Sequence, residues 1–349
     1  MAVTLGGLSA GSHAGNVTIT ATGASGSPVT VPVTFNVTAQ MPPPPTGSDW
    51  PTIDHDPTRS GNAAGESVIT PSNVSNLALK WSTPVDGKVT AQPLFVSAVS
   101  AGGTTRNVVV AVTAANSIYA LDASNGAQIW RRNFGPSDGT GVVPGGFGIE
   151  ASPVIDRTGG RIFTVSGDGQ LRTVSLADGT EASPAVPIIT DHVATNKVWG
   201  GLNLVGTNLY IATASDGNDT PPWQGRIFRV DVSGANPTIA GTFIVVPSIS
   251  APHGGGGIWG YGGVAVDPAT GRVYAATSAT DSMPEGYPAY AGSMIALDTN
   301  LNLLGSYQPV PPACQTAQCD WDFGATPTYI SLQAARLWWP PSRRTGICT

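Results

Sequence analysis

The sequence predicts an all-β protein built as a β-propeller, and three observations carry that prediction. The stretch Asn116 to Trp130, NSIYALDASNGAQIW, joins two β-prone runs through Asn125-Gly126. Asn-Gly between such runs is the strongest short-range hairpin signal, on the expectation that both turn positions take φ > 0. Related stretches return with decay: LRTVSLADGTEA from Leu171, RIFRVDVSGANP from Arg226 and SMIALDTNLNLL from Ser293. Aligning Asp122, Ser175, Asp231 and Asp298 gives steps of 53, 56 and 67 residues, and a repeat of that length made only of strand signals indicates propeller blades. Composition agrees. Of 349 residues 41% are hydrophobic and only 11% charged, with 44 Gly and 30 Pro that punctuate β-prone segments, the pattern of a turn-rich all-β chain.

Residues 1–39 read as a β-hairpin. Val17, Ile19 and Ala21 alternate with polar residues in GNVTITATG, and Val29, Val31, Val33, Phe35 and Val37 alternate in PVTVPVTFNVTA. Period-2 alternation across GASGS describes a half-buried pair, which alone is marginal in water. Residues 40–48, QMPPPPTGS, form a linker, because consecutive prolines favour extended polyproline II and hold neighbours apart.

Residues 49–330 carry the blades. Each opens on a strand after small residues: AQPLFV at Ala91, ASPVID at Ala151, GGLNLV at Gly200 and GGVAVD at Gly262. Second strands follow in NVVVAV, GRIFTVS, TNLYIATA and GRVYAATS. The YALD-type segment is the third strand, and a fourth follows its turn. GATPTYI from Gly324 begins a fifth blade. Four blades and one strand make an incomplete, open arc whose terminal strands expose unpaired N–H and C=O groups, so a poorly soluble or unstable isolated chain is expected. Residues 331–349, SLQAARLWWPPSRRTGICT, break the pattern with Trp338-Trp339-Pro340-Pro341 where a strand is due. Permitted codons read one nucleotide out of frame restore an apolar strand, a turn Gly and a strand restart. The tail is therefore expected to be frameshifted after about residue 330, which the nucleotide sequence would decide.

The totals exclude several functions. A net charge of -6 gives no electrostatic case for nucleic acid or anionic membrane. No apolar run approaches the roughly 20 residues of a membrane-spanning helix. Low charge with abundant Ser, Thr, Gly and Asn suggests an extracellular, cell-surface or periplasmic protein, although no signal peptide is visible at the N-terminus. Three cysteines make no framework; Cys314 and Cys319 in CQTAQC are a local disulfide candidate. The four histidines have no metal spacing, so no metal site is assigned from them. No G-x-x-x-x-G-K-[ST] loop and no G-x-S-x-G elbow occurs.

Two resemblances add to this reading. LSAGSHAGNVTITATGASGSPVTVPVTFNVTA resembles the last two strands of bacterial immunoglobulin-like repeats, which would make residues 1–39 a remnant of such a domain. Trp50, the HDPTRSG stretch at His55 to Gly61, TPSNVSNLALKW from Thr70, and SIYALDASNGAQIW resemble the pyrroloquinoline-quinone (PQQ)-like propeller repeat family. The resemblance implies that Trp130 pins one blade to the next. Trp321-Asp322-Phe323 in CDWDFGATPT is similar to a stretch of quinoprotein alcohol dehydrogenases in which the Asp is the general base, implying that role for Asp322 and, with it, PQQ and Ca²⁺. The adjacent cysteine pair of such enzymes is missing, and no Glu and Asn are assigned to Ca²⁺; Glu150 in GFGIEASPVID sits at a blade entrance where it could face the channel.

Against that stands a plainer expectation: a non-catalytic scaffold with no cofactor, binding protein or polysaccharide through its loops, where propeller functions reside. Trp259 in GGGGIWGYGG, expected near the central channel, and Trp223, Tyr287 and Tyr290 in two long insertions are the candidate ligand contacts. A third expectation is a truncated product without function of its own.

Overall fold

The computed structural model describes residues 11–23, 25–37, 49–138, 146–248, 252–280, 289–309 and 322–330. The chain divides into two compact units, Met1–Pro43 and Pro44–Thr349. In the first, β1 (Gly11–Ile19) and β2 (Val29–Val37) pair antiparallel with Val17 opposite Val31. Ile19, Val29, Val31 and Val33 are exposed, so the apolar face expected to be half-buried is not covered among the described residues. The linker residues 40–48 lie outside the described residues.

The second unit is an open arc of four four-stranded antiparallel blades, a β-propeller fold. Blade 1 comprises β3 (Leu94–Ala101), β4 (Thr104–Thr113), β5 (Ser117–Asp122) and β6 (Gln128–Asn133). Blade 2 comprises β7 (Val154–Asp156), β8 (Arg161–Val165), β9 (Gln170–Ser175) and β10 (Val186–Pro187). Blade 3 is β11 (Asn203–Val205) and β12 (Asn208–Ala212), then, after the short inserted β13 (Trp223–Gln224), β14 (Arg226–Asp231) and β15 (Thr238–Ile244). After β16 (Gly254–Gly255), which pairs with β13 in parallel, blade 4 comprises β17 (Ala265–Val266), β18 (Val273–Ala276), β19 (Met294–Leu297) and β20 (Leu303–Tyr307). The four blades are those the repeat predicts.

Three hydrophobic cores lie between successive blades. Val110, Val112, Ile118 and Trp130 of blade 1 meet Ile155, Ile162 and Val174 of blade 2. Phe163 and Leu171 of blade 2 meet Leu209, Ile211 and Val230 of blade 3. Tyr210 and Ile227 of blade 3 meet Val264, Val273 and Ile295 of blade 4. Each fully buried Val, Leu or Ile contributes about 1.5–3 kcal/mol, so stacking blades, not pairing strands alone, holds the unit together.

The repeat's Asp is a turn-former. Asp122 Oδ1 accepts from Ser124 N–H (2.9 Å), and the Asp122 carbonyl accepts from Gly126 N–H (2.7 Å); Asp231 and Asp298 bond Ser233 and Asn300 in the same way. The turn differs from the expected two-residue form. Only Gly126, at φ 75°, is left-handed, because the loop runs from Asp122 to Gln128 with a register shift between Ala120 and Leu121. A longer, bulged loop needs one αL residue rather than two. Trp130 is the expected pin. It is buried over the turn at Gly179, where an added Cβ would meet the ring at 2.6 Å, and its Nε1 donates to the Leu176 carbonyl at 3.1 Å.

A leading segment, residues 49–62, runs along the innermost strands of the blades in order. Trp50 pairs with Phe95 of blade 1, the Pro51 carbonyl accepts from Ile155 of blade 2, and Thr52 Oγ1 donates to Leu202 beside blade 3. The Pro57 carbonyl accepts from Val266 of blade 4, and the Thr58 carbonyl accepts from Tyr329. Arg59 is the centre of this strap. Its guanidinium donates to the carbonyls of Val264, Ile53, Gly201 and Leu202 and to Thr52 Oγ1. Burial draws its pKa down to about 10, against the raising effect of Asp54 and Asp56. Residues 324–330 occupy the opening position of a fifth blade, as GATPTYI suggests, but form no strand ladder among the described residues. The tail 331–349 lies outside the described residues.

Candidate functional site

The glycine run explains how the site is assembled. Trp223 pairs with Gly254 and is buried, its ring lying where side chains at Gly254 and Gly257 would stand. A Cβ on Gly225 would come within 1.7 Å of the Gly256 carbonyl oxygen. Only glycine allows two backbones this close. The run then bonds alongside blade 4: Gly256 N–H donates to the Ala279 carbonyl (2.9 Å), and Ser278 N–H donates to Gly257 (2.7 Å). These bonds bring Trp259 and Ala279 together.

Asp322 completes the group. One carboxylate oxygen accepts from Trp259 Nε1 at 2.9 Å and the other from Ala279 N–H at 2.7 Å. The Trp259 ring also packs against Gly324, where a Cβ would stand 2.8 Å away. Trp259 stays 36% exposed and Tyr261, two residues on, 57% exposed. The result is an indole fixed at its polar edge by a carboxylate, with aromatic surface presented to solvent. An aromatic body with an oriented polar handle suits recognition of ligands that are apolar on one side and hydrogen-bonding on the other.

The other expected contacts are placed differently. Trp223 is interior packing, a correction to its expected role as a loop contact: NDTPPWQG folds inward because Trp223 fills the space left by the glycines. Tyr290 is half-buried against Phe243 (ring centroids 5.7 Å). Tyr287, Cys314, Cys319 and Trp321 lie outside the described residues. Glu150 lies at the entrance of blade 2, as expected. It is buried between blades, where Thr90 Oγ1 donates to one carboxylate oxygen, and burial raises its pKa against the lowering effects of Thr90, the Gly148 N–H and Lys88. His55 is buried edge-on to Trp50 (4.9 Å).

Calcium calls for 6–8 oxygen ligands. Among the described residues no group of three or more His, Cys, Asp or Glu could hold a metal ion. Two groups bonded to the Asp322 oxygens, Trp259 Nε1 and the Ala279 amide, are N–H donors. Sequence reasoning did not find Ala279, whose contribution is a backbone N–H and leaves no residue signature. Tyr261, exposed beside Trp259 in the same GGGGIWGYGG stretch, was not singled out from the sequence.

Residues 32–184 match the family model described as the glucose/ethanol/alcohol dehydrogenase β-propeller domain. No curated protein sequence matches the chain. Among solved structures, the quinohemoprotein alcohol dehydrogenase of Comamonas testosteroni is similar at 18% identity and a TM-score of 0.62, over 77% of this chain and 42% of that one. The quinohemoprotein alcohol dehydrogenase ADHIIG of Pseudomonas putida HK5 is similar at 19% identity and 0.61, over 75% and 40%. A europium-containing methanol dehydrogenase is similar at 17% and 0.54, over 75% and 49%. The chain thus spans less than half the length of these three structures. At these identities the likeness is one of fold, a β-propeller, and residues 32–184 are similar to the matched propeller family.

Proposed function

We propose, with the β-propeller fold as premise, that this domain is a non-catalytic binding scaffold of an extracellular, cell-surface or periplasmic protein. Its ligand is polysaccharide, seated against Trp259 and Tyr261. The observation that carries the reading is the paired bonding of Asp322: both of its oxygens accept N–H groups, one from the indole of an exposed tryptophan. That carboxylate orients a binding surface, and fold alone assigns no chemistry. Affinity electrophoresis of the full chain through gels containing xylan, mannan or mixed-linkage β-glucan tests this. Retardation in one gel, lost in Trp259→Ala and Tyr261→Ala, is expected. Unchanged mobility in all three, or retardation that survives both substitutions, refutes it.

A second reading is favoured by the dehydrogenase family match and by Trp321-Asp322-Phe323: a quinoprotein alcohol dehydrogenase-like domain with PQQ and Ca²⁺. Equilibrium dialysis with PQQ and Ca²⁺, followed by alcohol-dependent dye reduction, separates the two. Stoichiometric PQQ uptake with dye reduction supports the enzyme; no uptake supports the scaffold. A protein ligand, or a chain without function of its own, is left as the outcome when both assays are negative.

A further inference from the structure

Residues at one equivalent position of the four blades form a row. The carbonyls of Lys88, Lys197 and Gly257 each accept from a residue just past the second strand of their own blade: Ala114 N–H at 2.8 Å, Ala214 N–H at 2.8 Å and Ser278 N–H at 2.7 Å. Two residues on from these stand Thr90, Trp199 and Trp259. Blade 2 joins the row through a bond to its neighbour. Ile149 N–H donates to the Thr113 carbonyl at 3.1 Å, as Ile258 N–H donates to Thr213 at 3.0 Å, so Glu150 holds the place that Trp259 holds in blade 4. Neighbours in the row meet: Thr90 Oγ1 of blade 1 donates to the Glu150 carboxylate of blade 2. Blades 3 and 4 adjoin at the same level, where Gly201 N–H donates to the Tyr261 carbonyl at 2.8 Å and a Cβ on Gly200 would stand 2.5 Å from the Gly263 Cα.

Blades 1 and 2 place a hydroxyl and a carboxyl in this row, and the two bond each other. Blades 3 and 4 each place a tryptophan there, in VWGG and IWGYGG. The two indoles are held in the same manner. Trp199 Nε1 donates to the Ser215 carbonyl at 2.8 Å, as Trp259 Nε1 donates to Asp322. Trp199 packs edge-on against Phe147 (ring centroids 4.8 Å) yet stays only half-buried, unlike the interior Trp130 and Trp223. The backbone path from Trp199 to Gly201, across one hydrogen bond to Tyr261 and back to Trp259, limits their separation to roughly 20 Å. One short oligosaccharide therefore reaches both rings.

We propose that Trp199 is a second stacking platform beside Trp259, and that the ligand is a linear, unbranched glycan laid across blades 3 and 4 with one sugar ring on each indole. The proposal rests on the polysaccharide reading above and narrows it to a chain recognised along its length. A sugar ring with equatorial hydroxyls turns a face of C–H groups toward an aromatic ring and keeps its hydroxyls at the edge, which suits an indole fixed at its polar side. Two such platforms on neighbouring blades make affinity grow with chain length until both are covered. Tyr261, exposed two residues from Trp259, makes blade 4 the stronger half, so the shortest ligands sit there.

Isothermal titration calorimetry of the full chain with xylo-, manno- and mixed-linkage gluco-oligosaccharides, from disaccharide to hexasaccharide, tests it. In the series that binds, Trp199→Ala should weaken the hexasaccharide about tenfold and leave the disaccharide unchanged, whereas Trp259→Ala should weaken every length. Trp199→Phe keeps a stacking ring and should stay close to wild type. A measurement on wild type guards against a misfolded variant: the hexasaccharide should slow oxidation of Trp199 by N-bromosuccinimide, mapped by peptide mass spectrometry, and the disaccharide should not. Loss in Trp199→Ala that is equal at all lengths overturns the proposal, because Trp199 then only supports the fold around Trp259. So does unchanged hexasaccharide affinity, or oxidation of Trp199 that the hexasaccharide does not slow; in those cases binding that still needs Trp259 leaves the polysaccharide reading standing. No binding of any length to wild type overturns both.

Discussion

Removing the Arg59 side chain should destabilise the propeller by about 3–5 kcal/mol, the cost of orphaning buried acceptors together with the cavity left behind. Five acceptors receive its N–H groups, at 2.8 to 3.2 Å. Two of the four carbonyls keep another donor in Arg59→Ala: Val264 keeps Asn203 Nδ2, and Leu202 keeps Thr52 Oγ1. The Ile53 and Gly201 carbonyls lose theirs. Each orphaned buried acceptor costs about 1–3 kcal/mol, and the emptied volume adds a cavity term. Domains have only about 5–15 kcal/mol in total, so the variant should be close to unfolding. Arg59→Lys keeps the charge but offers three donors in place of five and should lose roughly half as much; Arg59→Met separates packing of the stem from the bonds. Urea unfolding followed by far-UV circular dichroism measures all three, with a constant m-value confirming that stability alone changed. A loss below about 1 kcal/mol for Arg59→Ala would mean that the strap does not bind the blades.

Three further outcomes follow from the geometry. Gly225→Ala, whose Cβ would stand 1.7 Å from a backbone oxygen, should lower stability by more than about 3 kcal/mol; a melt within a degree or two of wild type contradicts the close approach. Asp322→Ala should red-shift Trp259 fluorescence and speed exchange of the Ala279 amide, and neither change is expected in a distant control such as Glu66→Gln. Burial holds the Glu150 pKa above its ordinary 4.5, so its ionised form is penalised in the folded state. Stability is then full below about 4.5 and falls as pH rises through the raised value. Glu150→Gln should accordingly gain on wild type at pH 7 and not at pH 4, and an equal difference at both values refutes the assignment.

What was legible in the sequence is what repeats locally. Blade number, the strand order within each blade, the Asp-led turns and the Trp130 pin all follow from short apolar runs and turn residues within one repeat. The rest depends on partners far away in the chain. Arg59 reaches Gly201 and Val264, 142 and 205 positions away, and does so through carbonyls, which every residue has. Asp322 and Trp259 are 63 positions apart. Trp223 was misread because a Pro-Pro-Trp insertion has the composition of an exposed loop, while its ring fills the space left by Gly254 and Gly257, some thirty residues later. Even the Asn-Gly turn was read correctly as a hairpin and incorrectly in its dihedrals, since loop length, not the dipeptide, decides how many residues turn left-handed.

The leading segment bonds the inner strands of the four blades in turn. The same strap anchors the candidate site. Tyr329 N–H donates to the Thr58 carbonyl at 2.9 Å, and Thr328 Oγ1 donates to the Arg59 carbonyl at 3.1 Å, which fixes residues 322–330 and thereby Asp322 against Trp259. Residues 324–330 have no strand ladder among the described residues; besides these bonds, Tyr329 stacks with Tyr274 (5.4 Å) and its side chain bonds Asp267. Weakening the strap should therefore release the site before it unfolds the blades, because segments with few buried contacts open at lower free energy than the core. In Arg59→Lys, under conditions where circular dichroism is still that of wild type, Ala279 exchange should quicken and Trp259 emission should shift, while amides of β4 and β5 stay protected. Equal loss of protection in all of them would show that site and blades unfold as one unit and that the strap does not hold the site separately.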